Sequence, residues 1–370
     1  MKRNVPFYMF LIVSIIFIAA CSQGKFRAEN RDRNFNEGWM FIRDSVPGNN
    51  PQDPAFDDSK WSLVDLPHDW SITPLPGEQG PDQIGPFSKK SPGATSTGYV
   101  MGGTAWYRKH FALDKKDEGK TVIIRFDGVY MESEVWVNGK QAGNHVYGYT
   151  PFYYDITNLL NDPGSDNVIA VKVNNTGRNT RWYSGSGIYR NVTLTVTEPV
   201  HVDVWGVQVI THDIDSNEGS ATIKVKVRNN SQEVADAKIT IEVFPPDATM
   251  EVASVESDLK VNAAEEALFE GNVVINNPVL WSPSAPKLYQ AKVTIETNGK
   301  IADEYLQNFG MRTVEISAQN GLLLNGEPLE LKGGCMHHDN GLLGSAAFER
   351  AEERRVQIMK DNGFNAIRTS

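Results

Sequence analysis

Between residues 35 and 198 apolar and polar positions alternate in short runs. Val122, Ile124 and Phe126 fall on one face of 121–129, and Val135 and Val137 continue the alternation. Asn138-Gly139 then supplies a dipeptide suited to a type I′ hairpin turn. Ile169, Val171 and Val173 repeat the pattern, as do Val192, Leu194 and Val196. A period of two predicts half-buried strands, and short strands separated by turn signals predict a β-sandwich or jelly roll. The stretch 44–103 is rich in Gly, Pro and Ser, and loops of that length are commonly functional.

A second β-rich unit spans 199–310. Ile223, Val225 and Val227 alternate, as do Ile239, Ile241 and Val243, then Ala291, Val293 and Ile295 ahead of Asn298-Gly299. About seven such runs predict an immunoglobulin-like sandwich, here without paired cysteines. From 329 the pattern changes. A strand is predicted at 329–336. A helix is predicted at 348–362, from the apolar spacing of Phe348, Ala351, Val356 and Met359. Glu349, Glu352 and Glu353 precede Arg354, Arg355 and Lys360, an order that favours the helix dipole. Gly363 stops the helix, and a strand follows at 364–369. Strand, helix and strand with short connections predict parallel pairing. A (β/α)8 barrel needs about 250 residues, so 311–370 would be only its beginning.

Charge narrows the function. With 36 basic and 46 acidic residues the net charge is −10, which disfavours nucleic acid as a partner. Lys2 and Arg3, the apolar run 7–20 and Ile18-Ala19-Ala20-Cys21 predict a signal peptide over 1–20, with Cys21 lipidated. An ordinary signal with a chance cysteine is the alternative. Residues 21–34 are polar and predict a tether. The expected location is the cell envelope, periplasm or cell surface, with the membrane reached through a lipid at Cys21. Cys335 is the other of the two cysteines, so no intramolecular disulfide survives processing. It is expected to be a packed, inert thiol.

Several segments, in order, resemble glycoside hydrolase family 2 of the β-galactosidase type. They are Leu66-Pro67-His68-Asp69-Trp70, Thr104-Ala105-Trp106-Tyr107-Arg108-Lys109, Phe126-Asp127-Gly128-Val129 and Arg181-Trp182-Tyr183-Ser184-Gly185-Ser186-Gly187-Ile188-Tyr189-Arg190. Leu280-Trp281-Ser282-Pro283, Phe309-Gly310-Met311-Arg312, Lys332-Gly333-Gly334 and Asn365-Ala366-Ile367-Arg368 follow. The resemblance implies a mostly β chain. A jelly-roll sugar-binding domain (35–198) is followed by an immunoglobulin-like β-sandwich (199–310) and the start of a truncated (β/α)8 TIM barrel (311–370). It also implies hydrolysis of terminal β-galactosides in oligosaccharides or glycans, with retention. One carboxyl group protonates the leaving oxygen while a second, about 5–5.5 Å away, attacks the anomeric carbon. Both glutamates are expected on strands beyond Ser370, so no residue here is expected to be catalytic. β-Glucuronidase and β-mannosidase relatives share the same front domains. An inactive fragment that at most binds carbohydrate is the rival from another class, and a purely structural surface protein a third.

Barrel sites lie at the C-terminal ends of the strands. His337, His338 and Asp339 follow the first predicted barrel strand, and Arg368 ends the second. The resemblance places His337 against the bound sugar and Arg368 against the nucleophilic glutamate, where a guanidinium keeps a carboxylate ionised. It also brings Arg181, Trp182 and Tyr183 to the mouth, either stacking on sugar or anchoring the interface with the barrel. His68, Asp69 and Trp70 read as structural. Arg181 stands where well-known β-galactosidases carry an acidic residue, a departure that bears on the sugar accepted. Cys335, His337 and Asp339 share strand parity, but one strand cannot wrap a metal. No cofactor is expected in this chain. A divalent cation in a complete enzyme and a homo-oligomer are both compatible with the resemblance.

Overall fold

The structure is a computed structural model that describes residues 31–43, 50–73, 83–84 and 87–369. The signal peptide, Cys21 and most of the tether lie outside the described residues. The first unit packs two antiparallel sheets. One has the order Asp32–Asn34, Val192–Thr197, Thr121–Phe126, Phe152–Asp155. The other has the order Ser62–Val64, Trp39–Arg43, Gly103–Phe111, Asn167–Asn175, Glu132–Val137, Lys140–His145. Ile124, Phe126, Val135, Ile169, Val171 and Leu194 point between the sheets with Trp39 and Tyr107. Burying such side chains contributes about 1.5–3 kcal/mol each. The hairpin at Asn138-Gly139 forms with both residues left-handed, φ 49° and 79°. The Asn138 amide donates to Leu159 O and Asn167 Oδ1.

The expected tether ends sooner than its polarity suggests. Asp32–Asn34 pairs with Val192–Thr197, and Arg33 forms a two-pronged ion pair with Asp117 at 2.6 and 2.7 Å. An edge strand contributes backbone bonds rather than a buried face, so it leaves no hydrophobic signature.

The second unit is a sandwich of three strands (Val200–His212, Glu218–Asn229, Glu266–Asn276) on four (Ala253–Val261, Ala235–Phe244, Tyr289–Thr297, Lys300–Phe309). The alternating residues predicted along 223–227, 239–243 and 291–295 form its core. Arg31 joins the two units. Its guanidinium pairs with buried Asp303 and donates to Val202 O at 2.7 Å. The Asp303 carboxylate also accepts from Val202 N at 2.8 Å.

A three-stranded meander, Val314–Ser317, Gly321–Leu324 and Glu327–Pro328, opens the last segment. Trp281 N donates to Met311 O at 2.8 Å, and Asn325 Nδ2 to Trp281 O at 3.1 Å, fastening it to the second sandwich. Gly333–Met336 then pairs in parallel with Ala366–Thr369, and the helix Glu349–Asp361 lies between them in sequence. Cys335 corrects its expectation, because it is exposed. Along this strand Gly334 and Met336 are the half-buried positions, and a Cβ on Gly334 would face Phe364 and Met359. Cys335, with opposite parity, faces away from that packing.

Candidate functional site

The first unit meets the last around a buried carboxylate, that of Asp69. Asp69 caps the short 3-10 turn Trp70–Ile72, its Oδ1 accepting from Ser71 N at 2.9 Å. The same oxygen accepts from Ser186 N at 2.9 Å, which fixes the glycine-rich turn after Tyr183. Oδ2 accepts from Ser345 N at 2.8 Å, from Ser345 Oγ at 3.1 Å and from the Tyr183 hydroxyl. Asp69 is fully buried. A carboxylate there is held only because its lone pairs are met by donors. Gly185 (φ 65°) makes the approach possible, since a Cβ on it would lie 1.9 Å from Ser345 Oγ. Ala347 N donates to Tyr189 O at 2.9 Å and extends the junction.

This docking carries the residues 337–347 against the first sandwich. His338 Nε2 donates to Ser184 O at 2.8 Å, so the other ring nitrogen is the unprotonated one in the neutral ring. Its ring lies 5.3 Å from Tyr149, 5.7 Å from Tyr189 and 6.5 Å from Tyr130. Burial pushes its pKa below the usual histidine value, keeping it neutral. Nδ1 is buried without a partner among the described residues. His337 is placed differently. Its carbonyl accepts from Arg355 Nη2 at 2.8 Å, and its ring lies 5.5 Å from Trp182 at 48°. Trp182 is 39% exposed, and its indole N–H donates to the Tyr149 hydroxyl at 3.1 Å. Tyr147, 54% exposed, meets Tyr149 edge-on at 5.6 Å. The result is an open aromatic corner that pairs Trp182 with His337 from 155 residues away.

Of the residues expected at a mouth, Trp182 and His337 are therefore together and accessible. Arg181 and Asp339 are exposed on its rim. Arg368 is exposed at the end of its strand, opposite Cys335 in the register. Tyr183 takes the second of the two roles expected of it, anchoring the interface, and His338 lies beside it. Tyr183 is 8% exposed with its hydroxyl bound to Asp69, and burial raises its pKa. His338 is enclosed by three tyrosines. Both hold the junction. Among the described residues no group of three His, Cys, Asp or Glu is placed to bind a metal. No described helix is long and apolar enough to cross a membrane. Tyr147, Tyr149 and Ser345 were not anticipated. The Tyr147-Gly148-Tyr149 triplet was the visible clue, since aromatic residues in a loop have no core to fill.

Two antiparallel sandwiches, with an aromatic corner where the first meets a parallel βαβ unit, define a modular, mostly β architecture. Residues 91–199 match the sugar binding domain of glycosyl hydrolases family 2, and 200–312 match a second profile described as glycosyl hydrolases family 2. The chain belongs to glycosyl hydrolase family 2. It is 38% identical over 95% of its length to beta-galactosidase BoGH2A of Bacteroides ovatus, covering 40% of that protein. It is 35% identical over 97% of its length to a putative beta-glucuronidase of Formosa agariphila, covering 32%. A family 2 member from Bacteroides cellulosilyticus superposes with a TM-score of 0.86 at 38% identity, over 92% of this chain and 43% of that one. The chain thus spans less than half the length of these relatives.

Proposed function

We propose that the chain is the front of a retaining glycoside hydrolase acting on terminal β-galactosides of oligosaccharides or glycans. In this reading 35–198 is the sugar-binding jelly roll, 199–310 the immunoglobulin-like sandwich and 311–370 the opening of a (β/α)8 barrel. Counting the edge strand Asp32–Asn34 moves the start of the first domain to Asp32. The observation that carries the reading is the contact of Trp182 with His337 at the C-terminal end of the first parallel strand. That is where barrel enzymes build their sites. The indole offers a flat apolar face to a pyranose ring, and the imidazole offers a donor or acceptor to a hydroxyl. The acid and the nucleophile come from later strands of the complete enzyme, and Arg368 holds the nucleophile ionised and oriented. The 370 residues alone bind and do not cleave. Cys21 anchors the protein in the cell envelope through lipid.

Hydrolysis of a chromogenic β-galactoside tests this. In the complete enzyme Trp182→Ala raises KM, and Arg368→Ala lowers kcat strongly. Unchanged kinetics in both variants, or full turnover by the 370 residues alone, would defeat the proposal. Cys21→Ala removes the protein from the membrane fraction if the lipid anchor is correct. A β-glucuronidase specificity is the second reading. Arg181, next to Trp182 in sequence, and Arg178 are exposed with no ion pair among the described residues, which suits a sugar carboxylate. A higher kcat/KM on the β-glucuronide than on the β-galactoside selects it.

A further inference from the structure

The strand Val200–His212 carries an irregularity that a sandwich does not need. It advances from Val202 to Val207 while its neighbour advances only from Val227 to Val225. The extra residues are extruded as a wide bulge, a device that re-aims side chains. Trp205 sits in this bulge with φ 53°, a left-handed conformation that sterics disfavour for a bulky residue. Gly206 lets the segment fold down tightly, since a Cβ on it would lie 2.8 Å from Asp203 O and 2.9 Å from Lys226 O. Despite this unfavourable backbone, Trp205 remains 51% exposed.

Its ring meets Tyr153 of the jelly roll edge-to-face at 5.3 Å and 80°, and Tyr153 is itself 36% exposed. A tryptophan serving only to clamp the sandwiches would be enclosed. That work is already done by the Arg31–Asp303 pair and by Asn230, which donates to Thr121 Oγ1 and Asp155 Oδ2. Beside Tyr153, Lys226 and Arg228 both pair with Glu266, at 3.6 and 3.7 Å, so these charges are already met by one another. Two perpendicular aromatic faces with such a border suit a neutral polyol with apolar C–H faces. A charged ligand would have to displace an existing pair.

We infer that the Trp205–Tyr153 corner is a second carbohydrate-contact surface, taking a pyranose ring of a neutral glycan chain. Tyr149 at the first corner and Tyr153 at the second are four residues apart, so at most about 14 Å of backbone separates them. A chain ligand touches both, whereas a monosaccharide touches one. The class of ligand follows the reading above, but the Trp205–Tyr153 contact shares no ring with the Trp182–His337 contact.

Affinity electrophoresis of the 370-residue chain through soluble β-1,4-galactan, with dextran as control, tests the inference. The wild-type chain is retarded by galactan. Trp205→Leu keeps an apolar contact on Tyr153 but offers no flat ring, and it weakens binding about tenfold, as loss of an aromatic anchor does. Trp205→Phe restores most of the retardation, and circular dichroism shows both variants folded. Trp182→Ala leaves a residue of binding that Trp205→Leu then removes. Equal retardation of wild type and Trp205→Leu overturns the second surface, as does an unretarded wild type. Binding lost in Trp182→Ala but not in Trp205→Leu sinks the second surface and leaves the first corner standing. The opposite pattern sinks the first corner alone.

Discussion

Replacing Asp69 by asparagine isolates the junction between the first and last segments, because the shape is kept and one acceptor oxygen becomes a donor. Two orientations are available. With the amide nitrogen at the Oδ1 position it faces Ser71 N and Ser186 N, two backbone donors that cannot turn. At the Oδ2 position it faces Ser345 N, which cannot turn, and the hydroxyls of Ser345 and Tyr183, which can. The second orientation costs less. It loses one backbone bond to a charged group and weakens two others, and such bonds contribute about 1.5–3 kcal/mol each. With partial relaxation the net loss is about 3 kcal/mol, roughly a hundredfold in the docking equilibrium. Amide hydrogen exchange reads it directly. The Ser345 and Ala347 amides, which donate to Asp69 and Tyr189, should exchange roughly a hundredfold faster by that estimate. Ser345→Ala is the control, since it removes only the 3.1 Å hydroxyl bond and costs about 1.5 kcal/mol, the low end for a charged acceptor. Unchanged protection at Ser345 in Asp69→Asn, or equal effects in the two variants, would refute the reasoning.

Gly185→Ala should open the same junction, because the new Cβ meets Ser345 Oγ and the residue holds φ 65°; wild-type exchange at Ala347 would contradict this. Burial pushes the His68 pKa down to about 4, and its Nδ1 lies 2.8 Å from the Tyr107 hydroxyl. The folded state therefore refuses a proton that the unfolded chain accepts, so this contribution to stability is intact above about pH 6.5 and is lost as pH falls toward 4. At pH 5 the loss is about 2 kcal/mol, and a denaturation series that shows the same acid slope in His68→Asn rules it out. Arg31→Met leaves Asp303 buried and unpaired and should cost about 3–5 kcal/mol, most of it recovered in Arg31→Met/Asp303→Leu; additive losses in urea denaturation would exclude the pair. Exposed Cys335 should react with a thiol reagent in the folded chain without denaturant, and protection until unfolding would disprove its placement.

The strands were legible wherever one face is buried. The residues of 223–227 and 239–243 announce their sandwich because alternation and burial are the same fact. Helix Glu349–Asp361 was legible from its apolar spacing and charge order. Arg31 to Asn34 was not, since a polar edge strand is held by backbone bonds and by partners as distant as Asp303. The candidate site was half legible. Trp182 and His337 were recognisable from motifs and position. The burial of Tyr183 and His338 depends on Asp69 and Ser184, whose geometry is set by chain folding rather than by any local run of residues. The bulge at Trp205 left no trace either, because a strand with extra residues still reads as a strand.

The five bonds to Asp69 also bear on how such a protein can be recombined. Sandwich domains invite exchange as cassettes, cut at the connections between them. Here the acceptor belongs to the first domain, while Ser345 belongs to the last and Gly185 supplies the clearance between them. A first sandwich transplanted onto a foreign downstream segment without a matching Gly344-Ser345 would bring a buried carboxylate with two donors missing. The inheritable unit is therefore the first sandwich together with a dipeptide more than a hundred residues downstream, and a successful chimera must be drawn around both.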